Sequence, residues 1–194
     1  MNTYQDFWNG EKNLPNLLNM TDIQELSAIV YKQAKIVEEK LIIEAQCKIT
    51  FNLEYIKRIH ALIFCNIYEH AGTFRTIQIT NKNIDHPATY LVSSIMNLYE
   101  EITLKKYKKY YSSTQELVEY ISQVYSDLLF INPFLTGNVL VASVLVNLML
   151  CKMHLKKIDF TKINQIPYDK YVSALYESIS YNYIPMANII KVIM

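Results

Sequence analysis

Glycine and proline are scarce in this chain. Three Gly and five Pro among 194 residues are about a third of the ~12% that the two supply in average usage. A many-stranded sandwich or barrel needs turn residues every few positions, so the shortage disfavours β-rich folds and makes helices the default. Cysteine is also rare. Cys47, Cys65 and Cys151 are odd in number, far apart and without Cys-x-x-Cys or Cys/His ligand spacing. That pattern argues against a disulfide framework or a metal site and fits a reducing, cytoplasmic location. An excess of one charge is missing as well: 19 Lys+Arg against 18 Asp+Glu leave +1, which removes the simplest case for nucleic-acid binding. Residues 1–10 hold no basic patch followed by an apolar run, so no signal peptide is expected. The longest apolar run, 139–151, is broken by Ser143 and Asn147. It falls short of the ~20 residues that span a bilayer, and the expectation is a buried central helix and no membrane partner.

What is present is a globular composition, 51% apolar and 19% charged. One all-α domain over 1–194 is expected, with 1–20 an extended or frayed lead-in. Thr21 with Gln24 reads as a capping box ahead of Leu26, Val30, Val37 and Leu41. Asn52 opens a second helix carrying Leu53, Ile56, Ile59, Ile63 and Ile67. Over 72–80 the rhythm changes: Ile77 and Ile79 alternate with Thr76 and Gln78, the period of a short strand or hairpin. Pro87 suits the first position of a third helix with Leu91, Ile95, Leu98 and Ile102. Ser113 and Glu116 form another capping box, before Leu117, Ile121, Val124 and Leu128. Pro133 and Gly137 punctuate a tight loop ahead of the apolar helix at 139–154. Pro167 and Pro185 open the last two helices. Seven or eight helices and one hairpin result.

Gly10 falls in the lead-in and Gly72 precedes the hairpin, but Gly137 sits just before the most apolar helix. A Pro-x-x-x-Gly-Asn loop at a helix N-terminus aims backbone N–H groups at one point, where the dipole favours an anion. The plainer reading is a helix–helix turn whose Asn138 caps the helix.

These residues carry a family resemblance. Asn132-Pro133-Phe134-x-x-Gly137-Asn138 resembles the central motif of the Fic (Fido) family, of cell filamentation protein type, usually His-Pro-Phe-x-(Asp/Glu)-Gly-Asn-Gly-Arg-x-x-Arg. Ile59-His60-Ala61-Leu62-Ile63-Phe64 through Tyr68, Ala71, Gly72 and Arg75 resembles the family's helix-to-flap segment. Leu17-Leu18-Asn19-Met20-Thr21-Asp22 with Glu25-Leu26 is similar to its opening helix. Tyr171, Ala174 and Leu175 with Tyr183-Ile184-Pro185-Met186 are similar to its closing segment. The four landmarks cover almost the whole chain in order.

The resemblance implies a Fic-type helical domain whose motif loop binds ATP with magnesium and transfers AMP to a hydroxyl of a protein target. Some relatives move UMP, phosphocholine or phosphate. It implies nucleotide binding by Phe134, Gly137 and Asn138, and a target-docking flap of Thr73, Phe74, Arg75, Thr76 and Ile77 that adds a strand to the target.

The departures bear on activity. Asn132 stands at the general-base position, and a positioned base contributes ~10²–10⁴ in rate, roughly 3–5 kcal/mol. Thr136 stands at the metal-binding acid, a poor anchor for a hard cation. Val139 replaces the second glycine, where a β-branched residue would resist positive φ. Leu140 and Ser143 replace the two arginines, leaving phosphate charge without its counter-ions. No catalytic residue of the pattern is retained, no metal ligand is expected, and impaired AMP transfer follows.

Other residues do not fill the gap. His60 reads as a packed core histidine, and His70 stands at a position the family usually gives to tryptophan, where packing is expected. His86 has no spacing argument toward the loop, and His154 ends the central helix. Thr21…Glu25 and Ser173…Glu177 match only the first part of the family's inhibitory pattern and read as caps and solvated faces. The Lys/Tyr cluster over 105–111 reads as a solvated loop. Two alternatives stay open beside the impaired transferase: transfer of another phosphate-bearing group by unconventional chemistry, and a non-catalytic module that holds a protein through 73–80. Target, nucleotide and oligomeric state are not encoded in any motif.

Overall fold

A computed structural model describes residues 14–45, 49–79 and 84–194. Gly10, Cys47 and Thr80 lie outside them. The described residues form seven α-helices: α1 Ile23–Ala45, α2 Leu53–Phe64, α3 Val92–Ile102, α4 Thr114–Ile131, α5 Asn138–Lys152, α6 Tyr168–Ile179 and α7 Ile184–Ile193. Short 3₁₀ turns occupy Thr89–Leu91, Leu104–Lys106 and Phe160–Gln165.

The central element is α5, apolar on every face and buried almost throughout. A helix hydrophobic all round needs neighbours on all sides; α1, α2 and α4 pack on it, and α6 and α7 pack on α4. Full burial of side chains such as Leu145, Val146 and Leu148 is worth about 1.5–3 kcal/mol each. The polar exception is Asn147, whose amide accepts from Ile158 N–H at 2.8 Å and donates to the Ile158 carbonyl at 3.1 Å and to Glu38 at 2.7 Å. It thereby holds the chain leaving α5 against α1. Among the described residues no helix is long and apolar enough to cross a membrane.

Local signals placed most helix starts. Asn52 caps α2 by accepting from Tyr55 N–H at 2.9 Å, and Ser113 caps α4 by accepting from Glu116 N–H at 3.1 Å. The Glu116 carboxylate turns to Ser112 and Lys108 instead of closing a box on Ser113. Pro167 sits at the N-cap of α6 and Pro185 in the first turn of α7.

Three expectations need correction. The cap of α1 is Asp22, which accepts from Gln24 and Glu25 N–H, because the helix begins at Ile23 and Asp22, not Thr21, holds the position before it. Pro87 does not begin α3, which starts at Val92 behind a 3₁₀ turn; its carbonyl is instead held by Arg75. The hairpin is not seen: among the described residues there is no strand, and 73–79 runs as an irregular segment. Its backbone partner is the motif loop, with Arg75 N–H donating to the Pro133 carbonyl at 2.8 Å.

The Lys/Tyr cluster packs partly inward. Tyr107 donates to the Met149 carbonyl and Tyr111 lies on Tyr120 with centroids 5.4 Å apart, whereas Tyr110, at 78%, and the four lysines are exposed.

Candidate functional site: the loop between α4 and α5

The loop over 132–138 opens and closes on left-handed residues. Asn132 follows α4 at φ 49°, and Gly137 precedes α5 at φ 76°. Gly137 is required twice over: its conformation favours glycine, and a Cβ there would lie 2.3 Å from the Phe64 ring.

Asn138 does not cap α5. It is the first residue of the helix, and its amide turns back into the loop, accepting from Phe134 N–H at 2.9 Å and donating to the Phe134 carbonyl at 2.8 Å. The N-cap is Gly137, which has no side chain to offer. The first ladder bond of α5 runs from Val141 N–H to the Gly137 carbonyl. The N–H groups of Asn138, Val139 and Leu140 therefore have no acceptor within the helix, and none among the other described residues. Such an end favours an anion through its dipole and its open donors.

Three aromatic rings support the loop from beneath. Phe134 is fully buried, stacked on His60 with centroids 4.0 Å apart and planes at 17°, and close to Phe74 at 5.6 Å. His60 accepts from Gly72 N–H at Nδ1 (2.8 Å). Its Nε2 therefore carries the proton and donates to the Thr136 carbonyl at 3.1 Å. Burial pushes its pKa down to about 3, outweighing the opposing pull of the Thr136 carbonyl. His60 is thus a neutral strut with both nitrogens engaged.

Arg75 braces the other side. Only 4% exposed, it donates from Nε to the Asn132 carbonyl (2.8 Å) and from its terminal nitrogens to the Pro87 and Ile77 carbonyls and to Thr89 Oγ1. No carboxylate faces it in that set; four neutral oxygens satisfy its guanidinium. His86 lies alongside, donating from Nδ1 to the Phe130 carbonyl at 2.9 Å, and burial lowers its pKa. The structure thus brings His86 against the last turn of α4, which no spacing in the sequence indicated.

The five departing positions fall as follows. Asn132 is half-buried, and none of its amide atoms has a partner among the described residues. Thr136 contributes its carbonyl to His60. Val139 lies inside α5 and not at a positive φ, so its branching does not obstruct the turn; Gly137 takes that conformation instead. Leu140 is buried, and Ser143 donates back to the Val139 carbonyl at 2.8 Å. Of the expected flap residues, Thr73, Thr76 and Ile77 are exposed. Phe74 is half-buried toward Phe134, and Arg75 is buried beneath the loop with its backbone N–H already given to the Pro133 carbonyl.

The donor set tests the implied cofactors. The α5 N-terminus suits a phosphate group. Magnesium does not fit, because the loop offers no carboxylate and no cluster of His, Cys, Asp or Glu able to hold a metal occurs among the described residues.

Comparison with known proteins agrees with this fold. The family model described as Fic/DOC family matches residues 50–150. Among solved structures, the N-terminal Fic domain of a putative cell filamentation protein from Bartonella quintana, with bound ADP, superposes with a TM-score of 0.73 at 18% identity, covering 98% of this chain and 94% of that one. The N-terminal Fic domain of Bep8, a VirB-translocated effector from Bartonella sp. 1-1C, gives 0.71 at 19% identity, with 94% and 91% covered. BepC from Bartonella tribocorum, with bound AMPPNP, gives 0.66 at 19% identity, with 97% and 96% covered. No curated protein matches in sequence.

Proposed function

The chain belongs to the Fic/DOC family, and from that premise we propose that it is a cytoplasmic, phosphate-ester-binding Fic domain whose AMP transfer to protein hydroxyls is impaired. One observation carries the reading: the loop keeps the backbone of an anion site while its side chains supply no proton acceptor, no metal ligand and no cation. The open N–H groups of Asn138, Val139 and Leu140 would receive the phosphate, over a platform of Phe134 and His60. Relatives with bound ADP and AMPPNP support a nucleotide as the ester.

The chemical step lacks its parts. Asn132 has an amide with no useful basicity, His60 is locked by two hydrogen bonds, and Leu140 and Ser143 leave charge on a leaving pyrophosphate unbalanced. A missing base alone removes about 10²–10⁴ in rate. Target docking would fall to the exposed Thr73, Thr76 and Ile77.

Incubation of the purified protein with labelled ATP, magnesium, manganese and a cell lysate tests the reading. The expected result is no labelling by the wild type and weak, millimolar-range ADP binding by calorimetry. Robust labelling that disappears on Asn132→Ala would overturn it, as would an ADP affinity unchanged by Gly137→Ala.

A further inference from the structure

Leu91, Ile95, Leu98 and Ile102 recur at steps of four, three and four, which sets them along one side of α3. That side is not the buried one. From this helix the core takes Val92, Met96 and Tyr99, whereas Leu91, Leu98 (54%) and Ile102 are exposed and Ile95 is half-buried. Tyr90, 83% exposed, extends the row by one residue. Apolar residues scattered singly on a surface need no partner, but a contiguous set marks a place of interaction. The exposed isoleucines of α1 make no such row: Ile29, Ile36 and Ile43 are seven apart, with Lys32, Glu39 and Lys40 between them.

Charge along α3 decides what fits the row. From Pro87 to Tyr99 there is no charged residue, and Glu100 and Glu101 stand together at the C-terminal end. Glu100 is committed to Leu53 N–H at 2.7 Å. Glu101 is exposed beside Lys105, a kind of pair that contributes little in water. The first turn of α3 holds no acidic residue, and its N-cap, Leu91, makes no side-chain bond, so no local charge offsets the positive end of the dipole. A second copy of α3 laid antiparallel answers both features. Spacing of 4-3-4 reads the same in either direction, so Leu91 meets Ile102 and Ile95 meets Leu98 on both sides of a two-fold axis. Each Glu101 then reaches the first turn of the other helix. Laid parallel, the same faces would set Glu101 against Glu101.

We propose that α3 is the seam of a homodimer, in which two copies of this chain pair antiparallel through Leu91, Ile95, Leu98 and Ile102. The 11 residues of α3 span about 16 Å. So short a contact buries less than about 1,200 Å² in total, the range of transient association. None of these residues belongs to the loop over 132–138, and the dimer stands whether or not that loop binds phosphate.

Sedimentation velocity of the full chain, from low micromolar to several hundred micromolar concentration, tests the proposal. A reversible monomer–dimer equilibrium with a micromolar dissociation constant is expected. Leu98→Glu, at an exposed position, should weaken dimerisation at least about thirtyfold and leave the melting temperature of the dilute protein unchanged. Glu101→Lys should weaken it about three- to thirtyfold, since both ends of the seam are affected. Leu91→Cys and Ile102→Cys chains, mixed and oxidised, should give the 91–102 disulfide by peptide mass spectrometry in preference to 91–91 or 102–102. A monomer at every concentration would overturn the proposal and leave the face to another partner. So would a dimer indifferent to Leu98→Glu, or cross-links that join like positions.

Discussion

His60 and Phe134 stack with ring centroids 4.0 Å apart and planes 17° from parallel, which ties the middle of α2 to the loop that opens α5. The contact joins residues 74 positions apart and leaves the histidine no freedom. One nitrogen receives Gly72 N–H and the other donates to the Thr136 carbonyl. A side chain that could have served as a base has become part of the frame.

That role has a pH signature. The folded-state pKa of His60 is about 3, below its ordinary 6.5. Between those values the unfolded chain binds more protons, so stability is full above pH 6.5 and declines as pH falls toward 3. The slope contributed is up to about 1.4 kcal/mol per pH unit. Melting temperatures at pH 7.5, 6.0 and 5.0 for wild type and His60→Phe should diverge in slope, with the variant flatter; parallel curves would contradict the neutral strut.

Gly137 gives a second expectation. Alanine there incurs about 1–2 kcal/mol for the left-handed conformation and about 1–3 kcal/mol for crowding the buried Phe64 ring. Urea denaturation should show Gly137→Ala less stable by a sum of that order. Gly72→Ala should be milder, because its Cβ would meet Ala61 at 2.9 Å instead of a ring at 2.3 Å.

Arg75 offers a third. Its guanidinium satisfies carbonyls of Asn132, Ile77 and Pro87 and the Thr89 hydroxyl, each bond to a charged group being worth about 1.5–3 kcal/mol. Arg75→Lys keeps the charge but loses the fork. It should destabilise the protein by at least about one such bond and raise amide hydrogen exchange at 130–134. Unchanged exchange there would show that the loop does not depend on the brace.

Asp127 gives a fourth, of opposite sign. Burial raises its pKa despite hydrogen bonds from Tyr183 (2.8 Å) and Thr103 (3.0 Å). Between its unfolded value and the raised folded one the native state holds the extra proton, so the group opposes folding increasingly as pH rises through that window. Asp127→Asn should therefore match or exceed wild-type melting temperature at pH 7.5, and lose that advantage below the ordinary carboxylate pKa.

Legibility from sequence divided along physical lines. The caps at Asn52 and Ser113 and the proline starts at 167 and 185 were readable, because each signal and its partner lie within a few residues. Asp22 was missed in favour of Thr21, where two adjacent residues compete for the same donors. The strand read over 72–80 is not seen over 72–79: alternation alone does not reveal that the Arg75 backbone bonds to Pro133. Asn138 was read as a cap, yet its amide serves Phe134, a choice between two nearby donors made by the loop's closure at Gly137.

The order of residues by itself determined a helical Fic fold and a loop without base, acid or arginine, since those depend on residue type and short-range spacing. Only the folded chain decided that His60 is spent as a strut against Phe134 and that Arg75 lies buried under Asn132. These pairs lie 74 and 57 positions apart, and such distances close only when α5 finds neighbours to bury it on every side.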